Sequence, residues 1–364
     1  ISARWNVRST SRALEQRRAL DVAVDVHAAT GRRDTPKDED LNRRRSRMLR
    51  VILPPLMLVA VVVMPALGQA PAAPLFASHD PLTFTIHAPL ATIFKDRGKE
   101  RNERPAKLIL PGRDGQPVTL DIAIRTRGKT RAERRICEFP PLRLDFDTVG
   151  AGTVFERQND LKLVTHCQDG RPEHDQYVLQ EYLVYRVYNL LTDRSFKARL
   201  ARVTYVDTDG KRDTVTRYGF LLEPFDAMAE RSGWQALRLP AVPPQIADPQ
   251  SLALVGVFQY MIGNPDWSQF TKEPGEDACC HNTVPIGAEA GPIFSVPYDF
   301  DISGIVNTRY ADRLFGPEQR NLGIRHVRQR AYRGLCASAE SFPEIFALLN
   351  QKRDAIYALY REQP

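Results

Sequence analysis

The sequence predicts an α+β fold in which strands come first and helices, with a few strands among them, follow. Between residues 82 and 146, short segments alternate apolar and polar residues or are rich in β-branched residues, and turn signals such as the one at 112–115 separate them. From residue 173 onward the apolar spacing becomes largely helical. This order is typical of α+β domains.

Local sequence signals predict the first helix and the strands around it. A helix is predicted over 173–192, with Pro172 and Glu173 near its start. The next two strands, 201–208 and 216–225, are separated by Asp209-Gly210, a hairpin-type turn. The earlier strands are predicted at 82–88, 106–112, 118–128, 141–147 and 161–164.

The second half begins with a proline-rich connector over 240–249. A buried helix is predicted next, over 251–263, and it stops where Gly263-Asn264-Pro265 begins. A loop from Asp266 to about residue 292 leads to a strand over 293–301, and mainly helical sequence follows. The segment 342–360 is amphipathic and predicts a terminal helix.

The basic charge of the chain is confined to its first seventy residues. The 364 residues carry a formal charge of +7, of which residues 1–70 contribute +6 and the remainder +1. A nearly neutral body gives no electrostatic reason to bind nucleic acid, so we expect no nucleic-acid partner.

Residues 48–70 have the parts of a secretory signal. Five arginines between residues 43 and 50 precede the uncharged apolar run 51–67, and small residues follow at Gly68 and Ala70. A retained membrane anchor is the alternative, although prolines interrupt the run. Residues 1–47 are either sequence upstream of a true start at Met48 or a disordered extension. We therefore expect a protein that is periplasmic or secreted after cleavage of the signal peptide, and that contacts the membrane only through the signal segment if this segment is not cleaved.

The five cysteines fit an oxidising compartment. We expect a Cys137–Cys167 disulfide and a second one between Cys336 and either Cys279 or Cys280, which leaves one thiol. A zinc site that recruits His166, Cys167, Cys279, Cys280 and His281 is the alternative, but adjacent cysteines are poor joint ligands and no C-x-x-C spacing occurs.

A carboxylate falls on the core-facing stripe of the helix predicted over 173–192. Glu181 shares that face with Tyr177 and Tyr185, and a buried carboxylate must find a cation or several donors. Lys162, on the strand 161–164, points away from Leu161 and Leu163 and is a candidate partner. In the alternative, Glu181 accepts hydrogen bonds from tyrosine hydroxyls and Lys162 extends to solvent.

Hard oxygen ligands follow the predicted buried helix and the last predicted strand. Asp266 comes directly after the helix, Asn282 lies in the following loop, and Asp299 and Asp301 close the strand. Carboxylate and amide oxygens suit Mg²⁺. The order of strand lysine, helix glutamate, loop aspartate, asparagine and strand-end aspartate is the order in which a protein kinase holds ATP and Mg²⁺.

Over residues 118–305 the sequence resembles the spore-coat protein H (CotH) kinase family, which has a divergent protein-kinase-like fold. The likeness rests on IRTRGKTR with PPLRLDFD, on LKLVTHCQDG and the helix after it, on the strand pair that ends in YGFLLEPFD, and on GNPDWS, HN and VPYDFDISG. The resemblance implies a two-lobed fold, with a mostly antiparallel β-rich lobe over 71–224 that includes one helix and a mostly helical lobe over 225–364.

The resemblance also implies roles for individual residues. Lys162 would contact phosphates, Glu181 would pair with it, and Asp266 would be the catalytic-loop aspartate. Mg²⁺ would bind Asn282 and Asp299, with Asp301 as an alternative or second ligand. The segment Arg127, Gly128, Lys129 and Thr130 would lie near the phosphates, and Glu223 would end the strand pair that borders the adenine.

Two functions follow as expectations. The first is an exported phosphotransferase that uses Mg-ATP on a hydroxyl of a protein or envelope polymer. The second is a non-catalytic exported binding or envelope-structural protein on a kinase-like scaffold. Retention of all the polar roles favours the enzyme, and the export signal favours the binding protein, because exported proteins meet little ATP. The sequence leaves the acceptor and the oligomeric state open.

Overall fold

Seven strands close into a barrel in the computed structural model, which describes residues 73–112, 115–147, 150–288 and 291–362. The expected extension (1–47) and signal segment (48–70) lie outside these ranges. The barrel strands are β1 (Leu82–Ala88), β2 (Arg104–Leu110), β3 (Val118–Thr126), β4 (Leu142–Asp145), β5 (Asp160–Val164), β6 (Ala198–Asp207) and β7 (Val215–Leu222). A second, three-stranded sheet contains β8 (Gln235–Ala236), β9 (Thr283–Gly287) and β10 (Ile293–Pro297).

Helices lie between the barrel strands and after them. In the described ranges they are α1 (Leu90–Ile93), α2 (Glu173–Leu191), α3 (Phe225–Arg231), α4 (Pro249–Ile262), α5 (Ala311–Leu314), α6 (Pro317–Asn321) and α7 (Phe342–Arg361). Short 3₁₀ helices lie at Pro74–Phe76, Thr130–Ala132, Pro244–Ile246 and Cys336–Ser341.

The barrel closes through its first and sixth strands. Its order is β1-β2-β3-β4-β5-β7-β6, and β1 pairs with β6 in parallel while every other neighbouring pair is antiparallel. Alternate residues of each strand face the interior, as the period of two requires. The apolar residues that fill the interior include Phe84, Ile86, Leu108, Ile124, Leu144, Leu161, Leu163, Val203 and Leu221.

A second core lies outside the barrel and surrounds α2. This helix packs against β6 and β7 on one side and against α7 on another, and α4 packs against β10 and α7. Val164 of β5 belongs to this outer core, whereas Leu161 and Leu163 belong to the barrel interior. Lys162 therefore projects from the outer face of the barrel, as the alternation predicts.

The helix α4 brings Asp266 to the outer core. Asp248 caps its start by accepting a hydrogen bond from the backbone N–H of Ser251 at 2.8 Å, and Pro249 occupies its first turn. Gly263 ends it in the left-handed conformation with φ 68°. The chain then leaves the helix three residues before Asp266.

The expected two-lobed kinase-like fold is wrong. The strands of the first half form a closed mixed barrel, and the segment expected to be a helical lobe contributes the sheet β8-β9-β10. Two features of the barrel and the second sheet could not be predicted from local sequence patterns. The parallel β1–β6 pairing joins segments more than a hundred residues apart, and β9 is buried at all five positions, so it lacks the alternation that identifies a strand.

Candidate functional site

A buried ion-pair network joins the barrel to α2. Nη1 of Arg131 lies 3.4 Å from Oε2 of Glu181 and 3.9 Å from Oδ2 of Asp301. Nη2 of Arg131 donates to the backbone carbonyl of Thr165 at 2.8 Å, and the hydroxyl of Tyr310 donates to Asp301 at 2.8 Å. One guanidinium therefore serves two buried carboxylates.

The network strongly perturbs the pKa values of its members. Burial raises the pKa of Glu181, and Arg131 opposes that rise. Burial also raises the pKa of Asp301, and Asp299 adds to the rise. Burial disfavours the charge on Arg131, but Tyr310 and the two carboxylates outweigh it and raise the pKa of the guanidinium.

Lys162 stands in an aromatic environment rather than in an ion pair. Its Nζ lies 3.6 Å from the ring centroid of Phe225 and 5.4 Å from that of Tyr298. In the described part of the chain, no carboxylate lies within 4 Å of this amine. Burial lowers the pKa of Lys162 well below its usual range, Arg127 lowers it further, and Asp299 opposes the change. The amine is thus a cation site without an anionic partner in direct contact.

Asp299 lies electrostatically at the centre of these groups. Its negative charge contributes to the pKa shifts of five neighbours, which are Arg127, Arg131, Lys162, Glu181 and Asp301. The residue itself has φ 60°, in the left-handed region, and its backbone N–H donates to the hydroxyl of Tyr185 at 2.9 Å. We call the set the central charged cluster: Arg127, Arg131, Lys162, Glu181, Asp299 and Asp301.

A second group of polar residues forms around His281. Its Nε2 lies 3.2 Å from Oδ1 of Asp266 and 3.5 Å from Oε1 of Glu273, and its Nδ1 lies 2.8 Å from Oε1 of Glu276. Burial alone would lower the pKa of His281, but hydrogen bonds to Asp266 and Glu276 raise it to about 10.

Asn282 connects this group to Asp299. Its Nδ2 donates to the backbone carbonyl of Asp266 at 2.7 Å and to Oδ2 of that residue at 3.1 Å. The backbone carbonyl of Asn282 accepts a hydrogen bond from the backbone N–H of Tyr298 at 3.0 Å, and Tyr298 is the residue before Asp299. Like Asp299, Asn282 is held in the left-handed region, with φ 51°. The three residues expected to act in catalysis and metal binding are therefore linked in one local structure.

The segment expected to approach phosphates splits into buried and exposed parts. Arg127 belongs to the central charged cluster, whereas Lys129 is exposed, with Nζ 3.7 Å from Oε2 of Glu273. Gly128 has φ 87°, a backbone conformation in which a residue with a side chain would be strained. Thr130 begins a 3₁₀ helix. That 3₁₀ helix carries Arg131 into the interior.

Glu223, directly after β7, is engaged in a buried ion pair. Its two carboxylate oxygens accept from Arg231 at 2.8 and 2.9 Å, and one of them also accepts from the backbone N–H of Lys197. Both partners of this ion pair are buried. The Glu223 side chain thus joins β7 to α3, and it is not among the groups that converge on Asp299.

The expected Lys162–Glu181 ion pair is wrong, because Glu181 pairs with Arg131 instead. Sequence reasoning also missed Glu273 and Glu276 as partners of His281. The available signal was modest: Arg131 ends the same basic segment that contains Arg127, and the two glutamates lie in the loop between Asp266 and Asn282.

One predicted disulfide is confirmed and the other is wrong. Cys137 is bonded to Cys167, whereas Cys279 is bonded to Cys280 and Cys336 is a free, exposed thiol. The cysteines of the alternative zinc set are all in these disulfides, so that ligand set is wrong as well. Among the described residues, no helix has the length and apolar character needed to cross a membrane.

Comparison of the sequence with known proteins adds no family. No protein-family model matches the chain, and no curated protein matches it. The resemblance to the CotH kinase family therefore remains a prediction.

Proposed function

We propose that this protein is an exported phosphotransferase that uses Mg-ATP to phosphorylate a hydroxyl group of a protein or envelope polymer. The observation that carries the proposal is a pair of cationic side chains, Arg127 and Lys162, that have no carboxylate within 4 Å among the described residues but whose pKa values are both affected by the charge of Asp299. Nζ of Lys162 lies 5.4 Å from the ring centroid of Tyr298, the residue before Asp299. Cations of this kind bind phosphate oxygens, and a nearby carboxylate binds the accompanying metal. The proposal does not need a kinase fold, because phosphoryl transfer depends mainly on positioning and charge stabilisation.

The central charged cluster and Asn282 divide into three roles, and Asp266 has a fourth. Lys162 and Arg127 would hold the phosphate oxygens, and Arg131 would hold Glu181 and Asp301 as a rigid frame beside them. Asp299 and the amide oxygen of Asn282 are hard oxygen donors that fit Mg²⁺, which would neutralise phosphate charge. Asp301 is the weaker candidate ligand, since its carboxylate already accepts from Tyr310 and faces Arg131.

Asp266 would act on the acceptor. Its backbone N–H donates to the Asn264 side chain at 3.0 Å, and its carboxylate contacts His281 and Asn282, so its position is fixed. In the reaction, the acceptor oxygen forms a bond to the γ-phosphorus while the bond from that phosphorus to the bridging oxygen breaks. The hydroxyl proton passes to Asp266, and ADP leaves with the bridging electron pair.

Thermal unfolding of the full chain with and without millimolar Mg-ATP tests the proposal. Ligand at a hundredfold excess over its dissociation constant stabilises the folded state by about 2.7 kcal/mol. We expect Lys162→Met and Asp299→Asn to remove that stabilisation. The matched control is Lys107→Met, which removes an exposed lysine whose partner is Asp121.

Release of the terminal phosphate from ATP distinguishes the two functional classes. We expect wild-type protein to release phosphate faster than Asp266→Asn. Absence of any stabilisation by Mg-ATP would contradict the proposal. Stabilisation without phosphate release above the level of the Asp266→Asn variant would instead support the non-catalytic binding protein.

A further inference from the structure

We propose that Asp266, Glu273 and His281 form a binding site for a divalent transition-metal ion, with Zn²⁺ as the ion that the donor set fits best. One ligand atom from each residue can be chosen such that all three lie within 4.8 Å of one another. This site uses other atoms than the Asn282 and Asp299 oxygens proposed above for Mg²⁺. It shares Asp266 with the proposed function, in which that carboxylate accepts a proton, but the evidence for the metal site does not rest on that role.

The distances between the potential ligand atoms suit a single small ion. Nε2 of His281 lies 3.2 Å from Oδ1 of Asp266 and 3.5 Å from Oε1 of Glu273. Ligands bound to Zn²⁺ at about 2.0–2.2 Å in a tetrahedral arrangement are separated by roughly 3.3–3.6 Å. An ion can therefore occupy this space with small side-chain adjustments.

The histidine is held in the orientation that metal binding needs. Its Nδ1 lies 2.8 Å from Oε1 of Glu276, so Nδ1 can keep its proton for that carboxylate while Nε2 offers its lone pair. A metal-bound histidine usually donates its other ring N–H to a carboxylate or carbonyl in this way. In the metal-free protein Nε2 faces Oδ1 of Asp266 and Oε1 of Glu273 and holds a proton between them, so metal binding would displace that proton from Nε2.

The two carboxylates are also held by their outer oxygens. Oδ2 of Asp266 accepts from Nδ2 of Asn282 at 3.1 Å, which leaves Oδ1 toward His281. Oε2 of Glu273 faces Nζ of Lys129 at 3.7 Å, and Oε1 is the oxygen nearer to His281. His281 and Asp266 thus each have a hydrogen-bond partner that holds them in place, whereas Glu273 has only an exposed ion pair with Lys129.

The chemistry of the donors selects the class of ion. An imidazole nitrogen is a common ligand of zinc and of other first-row transition ions, whereas Mg²⁺ prefers oxygen ligands and retains its waters. Three protein ligands leave a fourth position for water or for an oxygen of a substrate, as in catalytic zinc sites. Since His281, Asp266 and Glu273 are only half-buried, solvent can reach that position.

Titration with Co²⁺, whose visible absorption reports the coordination of a zinc site, tests the inference. The full chain is stripped with a chelator and carries Cys336→Ser, because an exposed thiol would compete for the metal. We expect saturable absorption at one equivalent of Co²⁺, displacement by Zn²⁺, and no displacement by Mg²⁺ at the same concentration.

Variants assign the signal to the three residues. His281→Gln and Glu273→Gln should each weaken Co²⁺ binding at least tenfold, and Glu276→Gln should weaken it by about 10–100-fold through the orientation of the histidine. His326→Gln is the matched control, since it removes an exposed histidine whose Nδ1 lies 3.5 Å from Asp312.

Three results would overturn the site: no saturable signal, a signal that survives His281→Gln and Glu273→Gln, or a signal lost in His326→Gln. Thermal unfolding shows whether each variant folds, and Glu273→Gln decides the outcome if His281→Gln does not fold, because the Glu273 side chain is 40% exposed. Lys162→Met should retain Co²⁺ binding, so failure of the nucleotide proposal and failure of this one are distinguishable.

Discussion

The guanidinium of Arg131 lies 3.4 Å from the carboxylate of Glu181, which is fifty residues further along the chain. Both side chains are at most 10% exposed, and the same guanidinium faces Asp301. The pair fixes the 3₁₀ helix after β3 against the middle of α2. Lys162 differs from Arg131 in that its amine contacts aromatic rings and has no carboxylate within 4 Å among the described residues.

Replacement of Arg131 should be strongly destabilising. Arg131→Met leaves Glu181 and Asp301 buried without a cation, so we expect the free energy of unfolding to fall by about 3–5 kcal/mol in urea denaturation at neutral pH. Arg135→Met, which breaks an exposed pair with Glu133, should cost less than about 1 kcal/mol. Equal effects of the two substitutions would mean that the buried network does not hold α2 in place.

Replacement of Lys162 should have the opposite effect on stability. Lys162→Met removes a desolvated amine and places a thioether beside the ring of Phe225, a favourable contact. We expect the free energy of unfolding to stay unchanged or to rise by up to about 1 kcal/mol, measured by urea denaturation beside the Lys107→Met control. A loss of more than about 1 kcal/mol would identify Lys162 as a structural residue.

His174 should make the protein sensitive to mild acid. Burial lowers its pKa from 6.5 to about 4. Below pH 6.5 the histidine is therefore protonated in the unfolded chain but still neutral in the folded chain. The free energy of unfolding consequently falls as the pH decreases from 6.5 to about 4. We expect His174→Gln to lose less stability than wild-type protein over this range, by on the order of 2 kcal/mol.

The measurement for His174 is urea unfolding at pH 7 and at pH 4.5 for both proteins. Carboxylates also titrate in this range, so only the difference between the two proteins reports on the histidine. Parallel pH profiles for wild type and variant would rule out His174 as the source. His326→Gln, at an exposed position, should match wild type.

The Cys137–Cys167 disulfide should contribute substantially to stability. It closes a loop with a sequence separation of 30 residues, which corresponds to about 2–4 kcal/mol. Cys137→Ser should lose stability in that range under oxidising conditions, whereas Cys336→Ser should change it by less than about 0.5 kcal/mol. Alkylation without reduction should label Cys336 alone, and label on Cys137 or Cys167 would contradict the pairing.

Local patterns predicted many elements, because their periodicity depends on short stretches of sequence. The helix over 173–192 is found as Glu173–Leu191, and the terminal amphipathic helix as Phe342–Arg361. The architecture was not predictable in this way. Barrel closure depends on which distant strands pair, and no local pattern encodes that choice.

In the candidate site, too, local features were predictable and long-range contacts were not. Sequence reasoning identified Glu181 as a buried carboxylate that needs a cation, and Glu181 is indeed 2% exposed. It chose the wrong cation, because Lys162 is closer in sequence and the turn that brings Arg131 inward depends on the 3₁₀ helix Thr130–Ala132. The contacts of His281 with Glu273 and Glu276 depend on loop conformation, which has no periodicity to detect.

Closure of the barrel through β1 and β6 has a consequence for how the chain reaches its native state. The edge of β1 stays without its partner until residues 198–207 are available, more than a hundred positions later. Pairing across such a separation slows folding, and an open edge invites association with other chains. A chaperone that shields this edge during synthesis should therefore raise the yield of native protein, and truncation before β6 should yield aggregates.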